Sequence, residues 1–311
     1  MAGLNYSSSP NLELVRTALD KLVDQAQMET AVVGKAEATD AVVFTQDTAT
    51  NAAVISTVIG GGGYFDITTD DVSINRSVSV AAPTPKTSLV LNFKKDLPIS
   101  RTFMADQQLS AVSKAVNQQA RTWVASRDKN AFGVYAGGFA TYTTIDSAYL
   151  FSNSHTNQNG DTVDNLETGV LTDDNLNTVV NSLRTQLSQT GVILGYEPKF
   201  LLTPVALHKT GMAIAKSVLR AGTGNNDLNY WSEMYPGMKV VYSPFLDSTS
   251  TTAYFVGSNQ HGVVRFEREG FFTDLIDWKY SENDTYKYKM RAREVVDSIE
   301  YSGVVGSSGT V

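Results

Sequence analysis

Between Asp71 and Tyr135 the spacing of apolar side chains changes period once, from two residues to between three and four. Val72, Ile74, Val78 and Val80 alternate with Ser73, Asn75, Ser77 and Ser79, and the alternation resumes after Pro83, Thr84 and Pro85 as Leu89, Leu91 and Phe93. Alternation marks a strand with one apolar face, so this segment is expected to form a β-hairpin turning at the prolines. A lone hairpin is marginal in water, and its apolar face needs cover from an ordinary intrachain sheet or from a neighbouring subunit. From Ala105 the period lengthens. Leu109, Val112, Val116, Ala120, Trp123 and Val124 recur every three or four residues, with Gln107, Ser110, Lys114, Asn117, Gln118, Arg121 and Arg127 on other faces. No proline intervenes before Gly137 and Gly138, so the pattern predicts one helix about 45 Å long, a spine as long as a small domain is wide. The commoner use of such a stripe is the core helix of an α/β enzyme.

The flanks carry weaker patterns. Leu12, Val15, Leu19, Leu22 and Val23 make a short helical stripe, and Thr30 to Ala53 is rich in Ala, Val and Thr without a period, as in an arm. Gly60 to Gly63 form a joint ahead of the β runs. After the long helix, the polar stretch Ser152 to Asp164 reads as a surface loop. Thr172 is suited to cap a helix carrying Leu176, Val179, Val180, Leu183 and Leu187, with Gly191 as its terminating glycine. Lys199 to Leu202 reads as a buried strand, and Thr203 with Pro204 opens a helix through Leu207, Met212, Ala215, Val218 and Leu219. Beyond the Gly- and Asn-rich stretch Ala221 to Asn229, strands are expected at Lys239 to Tyr242, Ala253 to Val256 and Gly262 to Phe266. In the last element, Tyr286, Tyr288 and Met290 alternate with Lys287, Lys289 and Arg291, followed by Arg293, giving one apolar and one basic face.

Composition narrows the function. With 311 residues, 42% of them hydrophobic, the chain can bury a core of one large or two modest domains. Its apolar runs are far shorter than the roughly 20 residues that span a bilayer, and it opens without the basic-then-apolar pattern of a secretory signal, so a soluble, non-exported protein with no membrane partner is expected. The absence of cysteine excludes disulfides, thiolate nucleophiles and Cys-ligated metals. A net charge of −7 argues against tight general binding of nucleic acid, though a passive container for DNA can be acidic. The basic strand face would then mate with an acidic patch on a neighbouring copy, or with DNA, unless it is simply solvated.

Catalytic chemistry is poorly represented. His155, His208 and His261 are the three histidines, and no two share the four-residue spacing of paired metal ligands on a helix. His155 with Ser152 or Ser154 would be a nucleophilic dyad only if residues adjacent on one loop faced each other, and no GxSxG elbow is present. Asp66, Asp70 and Asp71 lack the pattern of a calcium loop, and Gly60 to Gly63 are followed by Tyr64, Phe65 and Asp66 where a phosphate loop needs Lys and Ser or Thr. No catalytic, cofactor-binding or metal-binding residue is assigned, and no cofactor is expected.

Two segments resemble a known family. Leu150-Phe151-Ser152-Asn153-Ser154-His155, with Gly160, Asn165 and the helix opening at Leu171-Thr172-Asp174-Asn175-Leu176, is similar to the major head subunits of tailed bacteriophages, the Mu-like branch in particular. So is Pro198-Lys199-Phe200-Leu201-Leu202-Thr203-Pro204-Val205-Ala206-Leu207. The resemblance covers roughly residues 40–300. It implies an α+β, Hong Kong 97-like capsid fold: an N-terminal arm (1–50), an extended β-hairpin loop (51–95), a peripheral domain with the spine helix (96–139 and 262–311) and an α/β axial domain (140–261). The implied function is a structural shell subunit forming pentamers and hexamers of an icosahedral virion capsid, assembled in the bacterial cytoplasm around double-stranded DNA. DNA would be contacted weakly and non-specifically, and scaffolding, portal and decoration proteins would be partners. The chain shows no obvious N-terminal scaffolding segment, which suggests a mature or separately scaffolded subunit. Expected assembly residues are Arg76, Lys86, Leu89, Leu91, Phe93, Lys94 and Lys95, with Gly222, Gly224, Asn225 and Asn226 at the capsomer centre and Lys287, Lys289, Arg291 and Arg293 on the basic face. Some members crosslink through a lysine of the loop; Lys86, Lys94 and Lys95 are available, and no bond is assigned. An encapsulin-like compartment subunit and a hydrolase are the alternatives.

Overall fold

A computed structural model describes residues 16–24, 43–57, 85–105, 109–218, 228–281 and 283–310. In chain order the elements are helix α1 (16–24), strands β1 (Thr45–Thr48), β2 (Ala53–Thr57), β3 (Pro85–Leu89) and β4 (Leu91–Ser100), and helices α2 (Arg101–Ala105) and α3 (Leu109–Ala136). Strands β5 (His155–Thr156), β6 (Thr162–Val163) and β7 (Leu166–Glu167), helix α4 (Asp173–Thr185), strand β8 (Phe200–Thr203) and helices α5 (Val205–Lys216) and α6 (Tyr230–Met234) follow. The chain closes with β9 (Lys239–Tyr242), α7 (Pro244–Asp247), β10 (Tyr254–Gly257), β11 (Val263–Ile276), a 3-10 turn (Trp278–Tyr280), β12 (Thr285–Ser298) and β13 (Val304–Ser307). The expected first hairpin strand at 72–80, the glycine joint at 60–63, Arg76, the acids Asp66, Asp70 and Asp71, and the loop residues Gly222, Gly224, Asn225 and Asn226 lie outside the described residues.

The spine is α3, whose 28 residues run about 42 Å. Val112, Val116, Ala120 and Val124 form the expected buried stripe against a four-stranded sheet ordered β1-β11-β12-β4. Toward its end the helix is buried on more of its circumference, through Ala131, Phe132, Val134 and Tyr135. That end plugs an aromatic core with Phe44, Phe151, Phe200 and Phe255, in which Phe151 and Phe255 stack at 5.0 Å. Removing one such ring to Ala costs about 3–5 kcal/mol. The backbone runs hard against this cluster: a Cβ at Gly306 would sit 2.7 Å from the Phe151 ring. The Tyr135 hydroxyl donates to the Val43 carbonyl at 2.8 Å, and burial raises its pKa well above the usual phenol.

The second sheet, ordered β7-β13-β10-β8-β9, is mixed: β8 pairs with β9 and β13 with β7 in parallel, the other pairs antiparallel. Helices α4, α5 and α6 cover it through Leu176, Val179, Val180, Leu183, Ala215 and Trp231. Thr172 caps α4 as expected, accepting from the Asn175 amide at 3.2 Å. The helix stops at Thr185, before Gly191. Gln186 is buried, accepts from the Gly303 amide at 2.8 Å and donates to the Tyr301 carbonyl at 3.3 Å, and these long-range bonds draw the chain off the helical path. Gly191, at φ 72°, turns the loop beyond instead.

The hairpin expectation is corrected where the described residues begin. The run Leu89, Leu91, Phe93 is not one strand, because the chain breaks pairing at Val90. Before it, β3 pairs antiparallel with β2, placing Ala53 opposite Leu89 and Thr57 opposite Pro85. After it, β4 pairs with β12 inside the chain's own sheet, from Leu91 opposite Glu294 to Ser100 opposite Thr285. Val90 itself is buried with Ala49, Phe266, Val295 and Ile299, and this burial fixes the break. The expected strand at Gly262 to Phe266 is likewise only the start of β11, which continues through register shifts around Glu269 to Ile276.

Candidate assembly surfaces

The two-stranded ribbon β2–β3 is fastened to the body by one face. Lys86 Nζ donates to Asp297 Oδ1 at 2.7 Å, to the Thr143 carbonyl at 2.6 Å and to the Ser298 carbonyl. Ser88 Oγ donates to the other Asp297 oxygen at 2.6 Å, and Val54 packs beside Val90. The opposite face carries Ile55 and Leu89, 67% and 68% exposed, which alternation and the antiparallel register place on the same side. Leu91 is 43% exposed. The sequence of contacts, Leu91 opposite Glu294, then Ser88 on Asp297, then Lys86 on Ser298, shows that the ribbon continues the line of β4 along the Ser298 end of β12. Its apolar face is uncovered among the described residues.

The other loop residues divide between the two faces of β4. Phe93 turns inward and meets Trp123 of the spine edge-on at 5.2 Å, with Phe271 on the far side of the indole at 5.2 Å. Lys95 lines a groove of about 130 Å³ between sheet and spine, together with Trp123, Phe271 and Met290. Alternation turns Lys94 to the other face, where it stands exposed opposite Arg291.

On β12 the two faces separate as the alternation predicts. Tyr286, Tyr288, Met290 and Ala292 are buried toward the spine. On the outer face the register sets Lys289 between Asp96 and Asp274, Arg291 between Lys94 and Phe272, and Arg293 opposite Glu269, with which it pairs at 3.0 Å. The Arg291 guanidinium lies 5.9 Å from the ring of Phe272, which is 48% exposed. Glu294, 3% exposed, faces the spine instead and pairs with Arg127 at 3.4 Å.

The segment 219–227 is bracketed by exposed Val218 and Leu228, and by Tyr230 and Met234 on α6. Asn229 secures its return and was not singled out from sequence. This buried side chain donates to the Ile214 and Ser217 carbonyls at 2.6 and 2.8 Å and accepts from the Trp231 amide at 3.1 Å, so it closes the end of α5 and caps α6 together. Asn before two aromatics at a helix start was the available signal.

His155 is fully buried rather than poised in a loop. Its Nδ1 lies 2.8 Å from Asp146 Oδ2, and Nε2 lies 3.3 Å from the Leu150 carbonyl and 3.1 Å from Asn165 Oδ1, while the ring stacks on Tyr301 at 4.5 Å. Asn165 accepts from the Ser152 amide and donates to the carbonyls of Leu150, Tyr301 and Val304, which fixes its Oδ1 as the atom facing the imidazole. Both ring nitrogens thus face acceptors, and Ser152 and Ser154 hydroxyls bond each other at 3.0 Å instead. Burial pushes the Asp146 carboxyl up, but hydrogen bonds from His155 and Thr144, the His155 charge and the Thr156 amide outweigh it and hold its pKa at about 2. The arrangement ties the loop to the closing strand. Among the described residues no group of acids and histidines is placed to hold a metal, and no helix is long and apolar enough to cross a membrane.

A spine helix crossing a sheet, a ribbon fastened at the sheet's end, an α/β unit and two closing strands, one in each sheet, define a subunit of the Hong Kong 97-like capsid class. A family model described as phage capsid protein matches residues 87–307, and the chain belongs to that family. Its fold is similar to the virus-like particle from Pyrococcus furiosus (9% identity over 91% of this chain and 96% of that one, TM-score 0.52). It is similar too to the capsid of the native GTA particle (10%, 86% and 89%, TM-score 0.52) and the procapsid of bacteriophage JBD30 (15%, 98% and 77%, TM-score 0.50). No curated protein matches. The chain is accordingly a structural capsid protein that functions as many copies of itself in a shell.

Proposed function

We propose that this chain is the major head subunit of a tailed phage of the Mu-like branch, forming pentamers and hexamers that close into an icosahedral shell around double-stranded DNA. The observation that carries the reading is the ribbon's apolar face on a capsid-family subunit: Ile55 and Leu89 point away from the face anchored to Asp297 and are uncovered among the described residues. A contact between two different patches of identical subunits, repeated by rotation, closes into rings. In this reading residues 1–50 are the arm, 51–95 the extended loop, 96–139 with 262–311 the peripheral domain, and 140–261 the axial domain that brings the 222–226 segment to the capsomer centre. Assembly takes place in the host cytoplasm, with scaffolding, portal and decoration proteins as partners, and the subunit is not an enzyme. The buried His155, with both nitrogens spent on acceptors, supports that last point.

Negative-stain microscopy and sedimentation of the purified chain test the reading. Capsomers, tubes or shells are expected for the wild type, and Ile55→Asn with Leu89→Asn is expected to leave dispersed, folded subunits. A strictly monomeric wild type under all conditions, scaffolding factors included, refutes it. A compartment subunit is the second reading, favoured by the likeness to the Pyrococcus furiosus particle. Particles filled with a cargo protein and devoid of nuclease-protected DNA would decide for it.

A further inference from the structure

The face of β4 turned toward the spine carries Phe93, Lys95, Leu97 and Ile99, and Lys95 is the one polar side chain in that row. It stands opposite Met290 in the register, is exposed, and has no ion pair or hydrogen bond among the described residues. Alternation turns the adjacent acid, Asp96, to the other face. Lys95 borders the groove of about 130 Å³ walled by Phe93, Trp123, Phe271 and Met290. The indole of Trp123 lies between Phe93, edge-on, and Phe271, tilted by 31°, each at 5.2 Å. On the spine side the groove is bounded by Gln119, Thr122 and Ser126, a stripe at three- and four-residue spacing. The Thr122 and Ser126 hydroxyls donate to the Gln118 and Thr122 carbonyls at 2.9 and 2.8 Å, so their protons are spent within the helix. Gln119, half-buried, makes no side-chain hydrogen bond among the described residues. Aromatic walls and two uncommitted donors thus meet at one opening.

We infer that this groove is a binding site for a small amphipathic anion, a single aromatic ring bearing a carboxylate on a short stem. The ring lodges beside Trp123, and the Lys95 ammonium and the Gln119 amide hold the carboxylate. The inference does not depend on how subunits associate. Size limits the apolar part: an apolar cavity of about 150 Å³ takes up benzene, so a groove of about 130 Å³ accommodates one ring and not two. The walls favour a flat ring over an alkyl chain, because edge-to-face and offset contacts add to the gain from burial. Charge sets the sign of the head group. Lys94 and Arg291 also border the opening and no carboxylate does, so an anion is attracted and a cation repelled. Hydrogen bonds from an ammonium to a carboxylate are also roughly twice as strong as those between neutral groups, which separates an acid from an alcohol of the same shape.

The test titrates phenylacetate, 2-phenylethanol and 2-phenylethylamine, which share a ring and differ in head-group charge, into the full-length chain with saturation-transfer NMR as readout. Phenylacetate has about ten non-hydrogen atoms and is expected to bind with a dissociation constant of about a millimolar. It should bind about three- to fivefold more tightly than the alcohol, the scale of a solvent-accessible ion pair, with the amine weakest. Lys95→Met is expected to bring the acid down to the affinity of the alcohol. Thr122→Phe, which puts a ring of the protein's own into the groove, is expected to abolish binding of both. Thermal melting confirms folding of each variant; should Thr122→Phe fail to fold, Ser126→Leu narrows the groove from the next turn and should weaken both ligands. Equal affinity for acid and alcohol, an acid preference that survives Lys95→Met, or binding untouched by the groove-filling variants overturns the inference. So does the absence of phenylacetate binding up to about 20 mM, the outcome if another segment of the protein occupies the groove.

Discussion

Replacing Asp297 by Ala tests how the ribbon is held. The carboxylate receives Lys86 at 2.7 Å and Ser88 at 2.6 Å, with side chains of the ion pair only 15% and 14% exposed. Removing one partner of a buried pair leaves the other charge uncompensated, at a cost of about 3–5 kcal/mol. Lys86 keeps the Thr143 and Ser298 carbonyls, which places Asp297→Ala at the low end, about 3 kcal/mol. Lys86→Met should cost less, because Asp297 retains the Ser88 hydroxyl and the Ser298 amide. The ribbon forms its own two-stranded sheet, so the loss should appear as local release rather than global unfolding. Amide exchange on dispersed subunits carrying Ile55→Asn and Leu89→Asn measures this directly. Protection across residues 53–57 and 85–89 is expected to fall roughly hundredfold for a loss of about 3 kcal/mol, while the spine amides keep theirs. The Lys86→Met, Asp297→Ala cycle should return a coupling energy of at least about 1.5 kcal/mol. Additive single effects, or ribbon protection unchanged in Asp297→Ala, would refute the anchoring argument.

Asn229→Ala strips three backbone partners from a buried amide and should destabilise the subunit by about 2–3 kcal/mol in urea melts, with the exchange increase concentrated in the end of α5 and in α6. Phe93→Ala should cost about 3 kcal/mol in the dispersed subunit, because the ring packs on Trp123, whereas Leu89→Asn should cost little there and act on assembly. For Asp146 the folded-state pKa is lowered from 3.8 to about 2, so its stabilisation is complete above pH 4 and disappears as pH falls through 2. Between those limits the wild type should lose about 2 kcal/mol more stability than Asp146→Asn, read from denaturant midpoints at successive pH values; parallel curves for the two proteins would contradict the assignment.

Local pattern carried much of this fold. The spine was legible because a one-sided apolar stripe without proline leaves few alternatives, and it ends at Ala136, just before Gly137 and Gly138. The Thr172 cap, the buried strand before Pro204 and the two-faced closing strand were legible for the same reason: each is specified by neighbours within a few residues. Errors fell where a distant partner won. Leu89, Leu91 and Phe93 alternate impeccably, yet burial of Val90 divides them between two sheets, and Gln186 ends α4 for the sake of bonds to Tyr301 and Gly303. Of the expected assembly residues, Lys86 and Phe93 are committed inside the chain, while Leu89 and Lys94 face outward.

The sequence by itself determined the elements, their polarity and the class of protein, since periodicity, caps and the segments around His155 and Pro204 are short-range information. Tertiary structure alone decided which lysine is an anchor and which stands exposed, and that His155 is a buried strut facing Asp146 and Asn165. It also decided in which direction the ribbon leaves the body. Those properties depend on residues about 200 positions apart, such as Lys86 and Asp297, meeting at hydrogen-bond distance, and nothing in a local pattern encodes that meeting.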